Sequence, residues 1–225
     1  MIKICGITNQ TDALVAAEAG ADLLGFVFYA KSPRRVLPER AREIIAEVRQ
    51  AYPHISAVGV FVNETVKNVR ALIEQCGLDH VQLHGDESPE MVQALHPFAY
   101  KALRPHDMDQ ACVQLEQYCK VAADRAPALL VDAFNPKLFG GTGERADWQI
   151  ARMMAGELPI LLAGGLTAEN IAEAIAAVQP YGVDVSSGVE QAPGVKDHNK
   201  VRHFIANARQ AFSTAGSRQP AAGQL

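Results

Sequence analysis

Cys5 stands at the end of a short apolar run, Lys3-Ile4-Cys5-Gly6-Ile7-Thr8, where a strand gives way to a turn. A thiol at such an edge can act as a base or nucleophile once it loses its proton. Free Cys is also among the most readily buried side chains, and position alone does not separate the two readings. Asp132 closes another run, after Ala128-Leu129-Leu130-Val131. A carboxyl that follows four apolar residues must be paired, exposed at a rim or held protonated, and the last of these makes it an acid. A thiol and a carboxyl at two strand ends are the parts of a proton-transfer site.

Further strand ends add binding groups. Ala163-Gly164-Gly165-Leu166-Thr167 joins an apolar run to a helix start, and Ser186-Ser187-Gly188-Val189-Glu190 follows the next run. Glycines let backbone N–H groups approach an anion closely, and a helix N-terminus favours negative charge, so the two loops together point to phosphate. Either loop alone reads equally well as a tight turn. Lys31-Ser32-Pro33-Arg34-Arg35 supplies a guanidinium able to grip a carboxylate through two parallel hydrogen bonds, with Arg35 read as solvated. Alternation places Gln82 and His84 on one strand face. His84 reads as a base, a ligand donor or a satisfied core histidine. No second histidine at a strand end completes a metal site, and the four cysteines form no CxxC pair. Helical packing accounts for Cys76, Cys112 and Cys119.

The elements that carry these residues recur every 20–30 positions. Apolar runs at 2–5, 23–28, 57–61, 80–83, 99–103, 128–132, 159–162 and 183–186 are each followed by a segment of helical periodicity. They mostly do not alternate, as expected of parallel strands covered on both faces. Helix starts are read at Thr11-Asp12, Pro38-Glu39, Asn63-Glu64, Ser88-Pro89, Thr167-Ala168-Glu169 and Asp197. Gly20 and Gly77 each precede an Asp by two positions, and Gly182-Val183-Asp184 repeats that spacing, which hints at quasi-repeated units. Eight units close most simply into a single (β/α)8 barrel of the α/β class. An open doubly wound sheet needs no eighth unit and usually carries a dinucleotide fingerprint after its first strand, which Cys5-Gly6-Ile7-Thr8 is not. Residues 1–212 are expected to form the barrel, and 213–225 a disordered tail. The run Phe139-Gly140-Gly141-Thr142-Gly143, ahead of Trp148, reads as a loop that folds over a substrate or as plain surface flexibility.

The chain has 225 residues, 48% of them apolar, and a net charge of −4. That is enough for an extensive core, and the spread of Lys and Arg lacks the footprint of a nucleic-acid binder. No apolar run reaches membrane-spanning length and no secretory leader is visible, so a cytoplasmic protein is expected.

Together these residues resemble the phosphoribosylanthranilate isomerases. The resemblance rests on Lys-Ile-Cys-Gly-Ile-Thr at 3–8, Gly-Phe-Val-Phe-Tyr at 25–29, Lys-Ser-Pro-Arg-Arg at 31–35 and Val-Gln-Leu-His-Gly at 81–85. Ala-Gly-Gly-Leu at 163–166, Val-Asp-Val-Ser-Ser-Gly-Val-Glu at 183–190, Pro193-Gly194 and Lys196-Asp197-His198 complete it. It implies an Amadori rearrangement of an aminoaldose to an aminoketose, the third step from chorismate in tryptophan biosynthesis. It further implies Asp132 as general acid, Cys5 as general base, and Arg34 on the anthranilate carboxylate. Gln82, His84 and Asp184 would be further substrate contacts, and Gly164, Gly165, Ser186, Ser187 and Gly188 would hold the phosphate. No metal or cofactor is implied, the partner is a small phosphosugar, and a monomer is expected with a homodimer as the alternative. The competing readings are another phosphosugar barrel or a non-catalytic sugar-phosphate-binding module.

Overall fold

The computed structural model describes residues 1–122, 127–133 and 143–216, apart from the side chains of 143–147 and 215. Eight parallel strands close a barrel in sequence order: β1 (Ile2–Cys5), β2 (Leu23–Val27), β3 (Ser56–Phe61), β4 (His80–Leu83), β5 (Ala99–Leu103), β6 (Leu129–Asp132), β7 (Ile160–Ala163) and β8 (Gly182–Val185). Around it lie α1 (Gln10–Glu18), α2 (Pro38–Ala51), α3 (Val66–Cys76), α4 (Pro89–Ala94), α5 (Met108–Cys119), α6 (Gly143–Glu157), α7 (Ile171–Val178) and α8 (His198–Ala215). β1 pairs with both β2 and β8, so the sheet has no open edge. The expected (β/α)8 architecture is present, and each strand end falls within a residue of its expected place.

Two-residue alternation divides each strand between two cores. Leu23, Val58, Tyr100, Ala102, Leu130, Leu161 and Ala163 fill the barrel interior. Their neighbours, among them Ile2, Ile4, Leu24, Phe26 and Ala57, face the helices in one large cluster. α2 shows the matching helical pattern, burying Ala41, Ile44, Ile45 and Val48 at spacings of three and four.

Helix starts depart from expectation where the side chain or backbone of the expected first residue is engaged elsewhere. α1 is capped by Asn9, which accepts from Asp12 N–H; the Asp12 carboxylate turns inward to accept from Lys196 N–H and to meet His198. α3 begins after Thr65 rather than at Asn63-Glu64, because Asn63 has φ 52° and its N–H donates to Glu87. α7 begins at Ile171 and not at Thr167, since Asn170 accepts from Thr167 N–H and donates to Gly165 O, holding an intervening turn. The Gly-x-Asp repeat holds twice only. Asp22 accepts from Ile2 N–H at the start of β1 and Asp79 from Ala57 N–H, the second residue of β3, whereas Asp184 lies inside the barrel. α8 runs on to Ala215, past the expected boundary at 213, and the rest of that tail lies outside the described residues. A hairpin of β9 (Glu190–Ala192) and β10 (Val195–Lys196) follows β8 and was not expected.

Candidate active site

At the C-terminal ends of the strands lies a cavity of about 420 Å³, and every candidate residue from the sequence lines it: Cys5, Arg34, Gln82, His84, Asp132, Gly164, Gly165, Asp184, Ser186, Ser187 and Gly188. Alternation explains the convergence, because residues two apart on a strand share the inner face. Cys5 is 8% exposed and pairs with Gly25 of β2. A Cβ at Gly25 would sit 2.7 Å from Sγ, so only glycine leaves room for the thiol. The turn after Cys5 is pinned by Gly6 and Ile7 N–H groups donating to Gly25 O, and by Lys196 Nζ donating to Cys5 O at 2.6 Å. Burial pushes the Cys5 thiol above its ordinary range. Lys3 and Lys196 pull it back in part, and Asp184 adds to the rise.

Beneath the mouth is a buried polar layer. Lys3 Nζ donates to Gln82 Oε1 at 2.6 Å and to Asp184 Oδ2 at 3.0 Å, and Tyr100 OH donates to the same Gln82 oxygen at 3.2 Å. Gln82 Nε2 meets His84 Nδ1 at 2.5 Å. Burial, reinforced by Arg104, Lys3 and Lys101, pushes His84 down to about 3, so the ring is neutral near neutral pH. His84 Nε2 lies 3.9 Å from Asp132 Oδ2, and Arg104 Nε lies 3.6 Å from the same oxygen. Of the three options for an acid after an apolar run, Asp132 takes the rim: its side chain is 23% exposed, with charged company. The burial expected to keep it protonated is therefore incomplete in the free protein. Arg104 is itself 62% exposed, so solvent screens this contact.

Arg34 is not idle before a ligand arrives. Its Nε and Nη2 grip Glu190 at 2.8 and 2.7 Å, which fills the bidentate edge assigned to a ligand carboxylate. What remains for a ligand is Nη1 and the second Nη2 hydrogen. Glu190 also accepts from Lys196 Nζ at 2.9 Å, and Lys196 donates to Ser186 O at 3.2 Å. One carboxylate thus ties the Arg34 loop, the β9–β10 hairpin and the turns after β1 and β8 together. Arg35 is exposed, as expected.

The glycine-rich side is built from close backbone. Gly164 and Gly165 have φ of 97° and 62°, which a side chain would strain. Ser187–Val189 form a 3-10 turn. Two buried polar atoms here, Asp184 Oδ1 and Ser186 Oγ, have no hydrogen-bond partner. Orphans of this kind in a cavity suit a polar ligand. The opposite wall is apolar, with Val27, Tyr29, Val60 and Val62. Among the described residues no group of three or more His, Cys, Asp or Glu could hold a metal ion. Of the run from Phe139 to Gly143, read as a loop over a substrate or as plain surface flexibility, residues 139–142 lie outside the described residues.

Sequence reasoning missed Lys3, Tyr100, Arg104, Glu190 and Lys196. Lys3 carried a signal, since a lysine inside a four-residue apolar strand demands a buried partner.

The family model of N-(5'-phosphoribosyl)anthranilate (PRA) isomerase matches residues 2–207. An N-(5'-phosphoribosyl)anthranilate isomerase of Geotalea uraniireducens (strain Rf4) is 51% identical over 208 residues, covering 92% of this chain and 98% of the relative. The crystal structure of phosphoribosyl anthranilate isomerase from Thermotoga maritima has a TM-score of 0.81 at 39% identity, covering 93% of this chain and 98% of that one. A phosphoribosyl anthranilate isomerase solved with reduced 1-(o-carboxyphenylamino)-1-deoxyribulose 5-phosphate has a TM-score of 0.80 at 37% identity, with the same shares covered.

Proposed function

The chain belongs to the N-(5'-phosphoribosyl)anthranilate isomerase family, and we propose that Asp132 and Cys5 are its acid and base. The enzyme converts N-(5-phosphoribosyl)anthranilate to 1-(2-carboxyphenylamino)-1-deoxyribulose 5-phosphate in tryptophan biosynthesis. Asp132 protonates the furanose oxygen, and the nitrogen lone pair forms C1=N as the C1–O bond breaks. The iminium acidifies the C2 hydrogen, which the Cys5 thiolate removes, and the electron pair returns to nitrogen through a C1=C2 enolamine. A proton gained at C1 and one lost from the C2 hydroxyl give the ketone. The iminium is its own electron sink, so no metal or organic cofactor is required. Asp132 is partly exposed at the rim, where a bound sugar can reach it.

One observation carries this reading: the polarity of the mouth runs from one side to the other. Glycine loops and orphan polar atoms lie at β7 and β8, and an apolar wall with Arg34 lies at β2 and β3. Cys5 stands between them on β1, with Asp132 across on β6. A phosphate on the first side and an anthranilate ring on the second place the sugar carbons by the thiol. Gly164, Gly165, Ser186, Ser187 and Gly188 hold the phosphate, Asp184 Oδ1 accepts from a sugar hydroxyl, and Arg34 meets the carboxylate. Gln82 and His84 support the floor.

The working unit is a cytoplasmic monomer of one barrel that needs no nucleic acid or membrane. No helix among the described residues is long and apolar enough to cross a membrane. A turnover assay following loss of the substrate's anthranilate fluorescence, run in strong chelator, tests the proposal. Turnover is expected. Binding without turnover would point to a sensor, and loss of turnover restored by a divalent metal would point to a metal-dependent phosphosugar barrel.

A further inference from the structure

The polar layer under the mouth has no part in the acid–base scheme, yet it crosses the barrel from the β1 side to the acid. Its direction follows from which groups can only donate. The Lys3 ammonium has three N–H donors and no lone pair, so the Gln82 atom 2.6 Å from it is the amide oxygen. Tyr100 OH shares that oxygen at 3.2 Å. The Gln82 NH2 group is thereby turned toward His84 Nδ1, 2.5 Å away, and Nδ1 must accept. A neutral imidazole that accepts at Nδ1 carries its proton on Nε2, the nitrogen nearest Asp132.

We propose that Gln82, oriented by Lys3 and Tyr100, fixes His84 as the Nε2–H tautomer, so that an N–H rather than a lone pair faces Asp132. Gln82 and His84 are then positioning residues for the acid. The inference rests on the reading of Asp132 as that acid. At 3.9 Å the N–H is beyond hydrogen-bond range in the free protein, and such contacts often tighten only when substrate binds. After Asp132 gives up its proton, this N–H is there to stabilise the carboxylate. A lone pair in its place would repel it. The neutral state of the ring, held by burial and by the cations Arg104, Lys3 and Lys101, keeps the tautomer choice meaningful over the working pH range.

The test is the ¹⁵N spectrum of the His84 ring in the whole chain near neutral pH, assigned against His84→Gln. The expected result is a pyridine-type Nδ1 and a pyrrole-type Nε2. Gln82→Glu replaces the amide donor by a carboxylate that only accepts but still satisfies Lys3. It should protonate Nδ1 and lower kcat about tenfold to a hundredfold, with KM within about threefold. His84→Gln, which offers an amide N–H near the position of Nε2, should keep more of kcat than His84→Phe. A pyrrole-type Nδ1 in the wild type would overturn the proposal, as would a Gln82→Glu protein with a pyrrole-type Nδ1, a pyridine-type Nε2 and wild-type kcat. If Gln82→Glu does not fold, the wild-type spectrum and the two His84 variants still decide. Failure of Asp132 as the acid shows separately, as high turnover in Asp132→Asn with an unchanged wild-type ring spectrum.

Discussion

Cys5 trades availability for strength. Burial raises its thiol above the ordinary range and outweighs the nearby Lys3 and Lys196, so thiolate is scarce near neutrality but strongly basic when formed. Only the thiolate alkylates, so the alkylation rate of the Cys5 peptide should rise with pH through a midpoint above about 8.5, the value of a free thiol. Iodoacetamide labelling read by mass spectrometry measures it, and a midpoint at or below the free-thiol value would contradict this environment. Arg34 gives the second expectation at this scale. Arg34→Ala should weaken kcat/KM about 10–150-fold, the cost of losing a charged hydrogen-bond partner, while Arg35→Ala stays close to wild type. Equal effects in steady-state kinetics would mean both arginines share the carboxylate. That Cys5 and Asp132 would face one cavity was legible because a thiol or acid ending an apolar run is conspicuous. Their supports were not. Lys3 meets Asp184, and Lys196 meets Cys5, across separations of 181 and 191 residues, and no local pattern records such a pairing.

Strands were easier to read than helix starts, for a physical reason. A strand buried on both faces is a compact apolar run between polar turns, and that run is visible in one dimension. A helix start depends on which of several Asn, Asp or Thr side chains is free to cap. The Asp12 carboxylate is taken by Lys196 N–H and His198, the Asn63 side chain meets Asp86, and the Thr167 hydroxyl accepts from Glu169 N–H, two residues on. The β9–β10 hairpin escaped notice because its three- and two-residue strands are too short to show alternation. Element contacts also set two expectations. Gly25→Ala should leave the barrel folded but displace the Cys5 thiol, since the new methyl would sit 2.7 Å from Sγ. Overpacking of this kind costs about 1–3 kcal/mol. Turnover should fall well beyond any loss in thermal stability, and a wild-type rate in Gly25→Ala would show that the thiol has room to move. At the other end of the cavity, crystals grown in phosphate or sulfate should hold an anion at Gly164, Gly165, Ser187 and Gly188. An anion elsewhere on the barrel, with these loops empty, would count against the phosphate assignment.

Over the whole molecule, closure of the barrel is what makes one site from scattered residues. β1 and β6 are far apart in the chain and stand across one mouth only because β8 returns to pair with β1. The net charge of −4 gives an anionic substrate no general attraction, so affinity has to come from local groups at the rim. The proposed mechanism requires Asp132 and Cys5, across that mouth, to act on one substrate. The most direct measurement is the turnover of Asp132→Asn, with affinity for a reduced product analogue determined alongside. An amide keeps the shape of the acid but has no proton to give, so turnover should be abolished while affinity stays within about tenfold. Retention of more than about a tenth of wild-type turnover would leave less than about 1.4 kcal/mol of the barrier to Asp132 and contradict its role as the acid.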